Sequence, residues 1–95
     1  MVIYVGNLAA TTSEYDLLEK FEQYGRVTSA NIIKDEVSSR GLGFGFIEMP
    51  ETSAAYKAID AVNRTRILDS VVLVCETAPR VERRRFVANK QSSLV

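Results

Sequence analysis

Apolar and polar positions alternate with a period of two in two stretches of this chain, Ile3-Tyr4-Val5-Gly6-Asn7-Leu8 and Gly43-Phe44-Gly45-Phe46-Ile47-Glu48-Met49. Both read as strands. Ile3 and Val5 share one face of the first, with Tyr4 and Gly6 on the other. In the second, Ile47 and Met49 take one face and Phe44, Phe46 and Glu48 the opposite one. If Val5 and Ile47 face a core, Tyr4, Phe44 and Phe46 stand outside it. Between these stretches the period changes: Leu17, Phe21 and Tyr24 recur at helical spacing. Ser13 is the expected N-cap of this helix, Asp16 its capping-box partner, and Gly25 its stop. Residues 27–33 predict a second strand, with Ala30 and Ile32 on one face and Asn31 and Ile33 on the other. A polar loop, residues 34–41, leads into the third strand, which Pro50 ends. Thr52 is the expected cap of a second helix lined by Ala55, Ile59 and Val62. Asn63-Arg64 ends that helix, with Asn63 expected in the left-handed conformation. Residues 71–75 predict the fourth strand, and Pro79 closes the regular pattern.

The order is βαββαβ. Two right-handed crossovers of this kind interleave into an α+β, ferredoxin-like sandwich, a four-stranded antiparallel sheet with both helices on one face. The first and third strands become the central pair, which sets Tyr4 beside Phe44 and Phe46 in the middle of the uncovered face. An aromatic cluster facing water is costly unless something lies on it, and single-stranded bases are the usual occupant. A partner protein segment is the alternative.

Composition narrows this further. A chain of 95 residues has room for one domain and a short appendage. No run of about 18 apolar residues occurs, which predicts no membrane span. The opening residues carry no leader pattern, so no signal peptide is expected. A lone cysteine, Cys75, fits an intracellular, reducing compartment, and its simplest reading is a small strand residue. Catalysis is not expected: there is no histidine, no metal-ligand cluster and no base near Cys75 in sequence. Neither a cofactor nor a metal is called for. Gly41, Gly43 and Gly45 enter a strand and lack the Gly-Lys-Ser/Thr ending, so they are not a phosphate-binding loop. The formal net charge is zero, but its distribution is uneven. Residues 1–78 hold seven Lys/Arg against eleven Asp/Glu, a net of −4, while residues 79–95 hold five against one, a net of +4.

The two strand motifs resemble those of the RNA-recognition motif family. Residues 3–8 match its hexamer, and Leu42-Gly43-Phe44-Gly45-Phe46-Ile47-Glu48-Met49 aligns with its octamer. Leu17, Phe21 and Gly25, and Ala55, Ala58, Ile59 and Asn63, sit at the family's spacing. The resemblance implies a domain over residues 1–78, followed by a basic tail, 79–95. It implies single-stranded RNA as the partner, with single-stranded DNA as a weaker ligand, and a role in RNA processing, stability or regulation. Tyr4 and Phe44 resemble the rings that stack adjacent bases, and Phe46 the ring that packs near the sugars. Gly43 and Gly45 are expected to keep the strand low beneath a nucleotide. Asn31, Glu48 and Glu76, on or near the bare face, are candidates for hydrogen bonds to base edges. Two departures matter: Leu42 stands where the family has a basic residue, and Met49 where it ends in an aromatic ring. Arg40 is the nearest substitute for the missing charge. Arg64 replaces a frequent glycine and reads as loop variation. In the tail, Arg80, Arg83, Arg84 and Arg85 form an expected electrostatic arm. A helix over the rings, or pairing with the acidic body or a second copy, are its alternatives. A protein partner or a homo-oligomer also remains open.

Overall fold

The computed structural model describes residues 1–77. The chain runs β1 (Val2–Gly6), α1 (Glu14–Phe21), β2 (Ser29–Lys34), β3 (Gly41–Glu48) and α2 (Thr52–Val62), then a small hairpin, β4 (Arg66–Ile67) and β5 (Ser70–Val71), and β6 (Leu73–Thr77). The main sheet has the order β2-β3-β1-β6 with every pairing antiparallel. The predicted central pair, first and third strands, is therefore observed.

Alternation decides the layers. Ile3, Val5, Ile32, Ile47 and Val74 point from the sheet into a core completed by Leu17 and Phe21 of α1 and Ala54, Ala55, Ala58 and Val62 of α2. Fully burying each large apolar side chain contributes about 1.5–3 kcal/mol. The alanines of α2 add little area, but they let that helix approach the sheet closely. Both helices cover this face, leaving the other side of the sheet open.

The helix ends explain several departures from expectation. The capping box of α1 forms as predicted: Asp16 N–H donates to Ser13 Oγ at 3.2 Å and Ser13 N–H to the Asp16 carboxylate at 2.9 Å. The helix stops at Phe21, however, before Gly25. Gly25 is needed for contact rather than conformation, because a Cβ there would lie 2.6 Å from Ala54 Cβ on α2. At α2 the N-cap is Glu51, without a side-chain capping bond, and Thr52 is already helical. At its other end Asn63 is extended (φ −57°, ψ 131°), and Arg64 takes the left-handed conformation at φ 66°. Asn63 instead uses its side chain: Oδ1 accepts from Val74 N–H at 2.8 Å, tying the end of α2 to β6. The predicted strand over 71–75 is also divided. Val71 pairs with Arg66, Val72 N–H donates to Thr65 O at 2.9 Å, and only from Leu73 does the chain pair with β1. Alternation continues through this stretch, so the pattern alone does not reveal the change of partner.

The left-handed Arg64 is the glycine-like position in this turn. A residue with a Cβ loses roughly 1–2 kcal/mol there, partly offset by the lower entropy of an unfolded non-glycine chain. Arg64→Gly is expected to raise stability by about 0.5–1 kcal/mol in chemical denaturation. A loss of stability contradicts this reading.

Candidate functional site

The open face is built from rows that cross all four strands. Register places Asn31, Phe46, Tyr4 and Cys75 in one row, and Ser29, Glu48, Val2 and Thr77 in the next. On the other side of the ring row, Phe44 faces Gly6, which faces Leu73. A register irregularity between Ile32 and Lys34 carries β2 past this last row.

Three half-buried rings occupy the centre. Tyr4 and Phe44 lie 6.1 Å apart between centroids and within 27° of parallel. Phe46 meets Tyr4 at 5.9 Å and 66°, and Phe44 at 6.2 Å and 89°. Tyr4 and Phe46 are direct cross-strand partners, whereas Tyr4 and Phe44 are diagonal. The diagonal contact depends on Gly6. A Cβ there would stand 2.6 Å from the Tyr4 hydroxyl and 2.7 Å from its Cε2, so the Tyr4 ring leans over the bare glycine towards Phe44. Such edge and offset contacts hold aromatic rings in fixed relation.

The other glycines act differently from expectation. Gly45 shares its face with buried Ile47, not with the rings, and therefore does not lower the surface beneath a ligand. A Cβ on Gly45 would come 2.6 Å from Asn31 O and 3.1 Å from Ile32 Cα, so glycine lets β2 approach β3. Gly43 is the one glycine with a positive φ, 94°, among the described residues. Its carbonyl accepts from Leu8 N–H at 2.8 Å, fastening the segment after β1 to β3. Asn7, also left-handed at φ 60°, donates from Nδ2 to Val71 O at 2.7 Å, which anchors the small hairpin beside the open face.

Asn31 and Glu48 both take ring-face positions, Asn31 as the cross-strand partner of Phe46 and Glu48 two residues along β3 from it. Glu76 does not. It pairs with buried Ile3, has the parity of buried Val74, and accepts the Tyr56 hydroxyl at 3.1 Å from α2. That hydrogen bond, reinforced by the carboxylate's charge, raises the Tyr56 phenol above its ordinary value. Glu76 thus belongs to the helix side of the sheet and leaves the candidate site. Arg40 lies in the loop before β3, where its carbonyl accepts from Asp35 N–H at 2.8 Å. This loop is closed further by the Asp35 carboxylate, which takes the Ser38 hydroxyl and N–H; those bonds hold it below its usual value. Leu42 is 56% exposed and supplies no charge. Met49 is fully buried, as its face predicted. Arg80, Arg83, Arg84 and Arg85 lie outside the described residues.

Sequence reading missed Leu73, 52% exposed, and the placement of Cys75 directly beside Tyr4. Parity within the fourth strand carried the signal, but only once Val74 was known to be buried. Among the described residues there is no cluster of metal-ligating side chains, and no helix is long and apolar enough to cross a membrane. A groove between α1 and the start of β2, lined by Glu14, Tyr15 and Leu18 among others, lies on the helix side, away from the rings. The described residues of the site therefore form an open platform, suited to flat aromatic ligands.

Comparison with known proteins agrees with this geometry. The family model described as RNA recognition motif matches residues 3–73. A protein of Nostoc sp. named for RNA binding, RbpE, is 37% identical over 83 residues, covering 87% of this chain and 84% of its own. Glycine-rich RNA-binding protein 8 of Arabidopsis thaliana is 36% identical over 77 residues, which span 81% of this chain but only 46% of that protein. The crystal structure of RNA-binding protein PG1 superposes with a TM-score of 0.81 at 40% identity, covering 84% of this chain and 96% of the other.

The two inward and outward glycines separate platform from scaffold. In Gly6→Ala the new methyl meets only a movable ring, so the fold is expected to persist while Tyr4 turns away from Phe44 and their ring-to-ring nuclear Overhauser effects vanish. In Gly45→Ala it meets β2 backbone, and a loss of about 1–3 kcal/mol is expected in denaturation. Equal stability losses in the two variants contradict this division.

Proposed function

This chain belongs to the RNA recognition motif family, and we propose that it binds single-stranded RNA on the platform of Tyr4, Phe44 and Phe46, by stacking bases on its rings. The observation that carries this reading is the ring triangle, with sides of 5.9–6.2 Å, at the centre of a sheet face left open by both helices. Every base has a π-face, so such a platform accepts single strands, whereas paired bases hide theirs in the duplex. Tyr4 and Phe44, near-parallel, each carry a base in this reading, and Phe46, edge-on to both, packs near the sugars. Asn31 and Glu48 border the platform, and Leu73 and Cys75 widen it on the β6 side. The chemistry is binding rather than turnover, in the service of RNA processing, stability or regulation.

Charge divides the work. Residues 1–78 form the binding domain and carry a net −4, while residues 79–95 carry a net +4. No lysine or arginine occupies a ring-face position in the strand register of the described residues. Phosphate contacts in this reading come from the tail, through Arg80, Arg83, Arg84 and Arg85, with Arg40 contributing from its loop. Affinity then has two separable parts: stacking, which depends little on salt, and counterion release, which depends on it steeply.

Two expected outcomes test these parts. Tyr4→Ala and Phe46→Ala each weaken a short single-stranded RNA by roughly 5- to 150-fold, the equivalent of about 1–3 kcal/mol per stacked base. Melting temperature stays nearly unchanged, because neither ring enters the core; unaltered affinity in both variants contradicts the stacking reading. Truncation after Ala78 lowers affinity by a similar factor for all sequences and flattens the plot of log K against log salt, by about 0.7 for each phosphate that the tail no longer neutralises. An unchanged slope shows that the tail takes no part.

A further inference from the structure

Glu48 poses a problem that the stacking platform does not answer. It is the only charged side chain on the ring-face positions of the described strands, and its charge has the sign of the expected ligand. Its carboxylate has no hydrogen-bond or ion-pair partner among the described residues; the ion pair found there joins Lys34 to Glu14 on the opposite side of the sheet. Glu48 is exposed, so the core does not require it. Its backbone carbonyl, by contrast, is well used, accepting from both the N–H and the hydroxyl of Thr28 at 2.9 and 3.2 Å. The strand end is therefore fixed and the side chain is held at the margin of the platform. It lies two residues along β3 from Phe46, about 7 Å at the usual strand rise. It is also diagonal to Tyr4, whose partner is Phe46 while Glu48 faces Val2.

An ionised carboxylate accepts hydrogen bonds and donates none. Beside a stacked base it attracts an edge that offers donors and repels one that offers acceptors. The four bases differ sharply in this respect. Guanine presents two adjacent donors, N1–H and the N2 amino group, which match the two carboxylate oxygens. Adenine and cytosine each offer one amino group beside a ring-nitrogen acceptor, and uracil offers one N–H flanked by two carbonyls. Asn31, the cross-strand partner of Phe46 on β2, lies diagonal to Glu48, with an amide that can donate to the guanine O6 next to N1–H.

We propose that Glu48 makes this platform selective for guanine, by accepting the N1–H and N2 amino protons of the base stacked on Tyr4. The inference rests on the base-stacking reading above. It assigns the negative charge a role: repulsion from phosphate lowers affinity for every RNA, and the paired hydrogen bonds restore it for guanine alone. Selectivity therefore arises as much from the bases that Glu48 rejects as from the one it holds.

The test uses the full chain and four pentanucleotide RNAs, uridine throughout except for guanosine, inosine, adenosine or uridine at the centre. Inosine keeps N1–H and O6 but lacks the N2 amino group. The wild-type protein is expected to bind the guanosine RNA roughly tenfold or more tighter than the adenosine or uridine RNA, with inosine in between, as for other two-donor readouts of a base. Glu48→Gln, similar in shape but uncharged and with an NH2 donor in place of one acceptor oxygen, is expected to bring all four affinities within about threefold, tightening adenosine and uridine while loosening guanosine. Glu48→Asp keeps the carboxylate and is expected to retain part of the preference. The proposal is overturned if the wild type shows no guanosine preference, or if Glu48→Gln keeps it undiminished. Should the wild type bind none of the four RNAs, the stacking reading itself fails, and this inference with it.

Discussion

The register that sets Ile3 against Ile47 decides which side of this sheet is wet. With β1 and β3 paired at that point, Ile3, Val5 and Ile47 all enter the core, and Tyr4 is placed opposite Phe46 on the other face. Side chains alternate strictly along a strand, so a slip of one residue in either strand would send its ring into the core and its core residue into water. Burial of the core side therefore fixes the position of the rings without any contact between the rings and the core. Folding energy and the functional surface are coupled through parity alone. This is why a ring can be truncated at little cost in stability, while the arrangement of rings is as rigid as the sheet that carries them.

Close backbone approach supplies the finer geometry. Gly6 leaves the space over which Tyr4 leans, Gly45 admits β2, and Gly43 takes a left-handed conformation that lets its carbonyl hold Leu8. At each edge of the sheet one backbone donor is taken by a side chain. Glu14 of α1 accepts from Ile32 N–H on β2, and Asn63 after α2 accepts from Val74 N–H on β6. Each of these caps comes from a helix terminus, so the helices fix the edges of the platform as well as covering its back.

Most of this architecture is legible in the sequence, because period-two alternation and helical spacing report burial directly. Alternation alone puts Tyr4, Phe44 and Phe46 on the open face, and residue type and spacing reveal the capping box at Ser13 and Asp16. The features that escape it depend on phase, contact or backbone conformation, which residue type and period do not report. Glu76 lies near the open face in sequence terms, but parity turns it towards Tyr56. Gly25 reads as a helix stop and is in fact the place where the chain touches Ala54. The change of partner at Val72 is invisible to alternation, since both hairpin and sheet continue the same in-and-out pattern. Arg64 reads as ordinary loop variation, and only its φ shows that it occupies a glycine-like position.

An acidic domain that binds a polyanion must gain its affinity from something other than its own charge, and the ring platform is the feature of the described chain able to provide it. Chemical-shift mapping with a short single-stranded RNA tests that claim most directly, on the full chain labelled with 15N and with 13C in its aromatic rings. The largest changes are expected at the Tyr4, Phe44 and Phe46 rings and at the amides of Asn31, Glu48, Leu73 and Cys75, with the helix faces of α1 and α2 unmoved. Changes centred on the groove between α1 and β2, with the three rings unaffected, would contradict that claim.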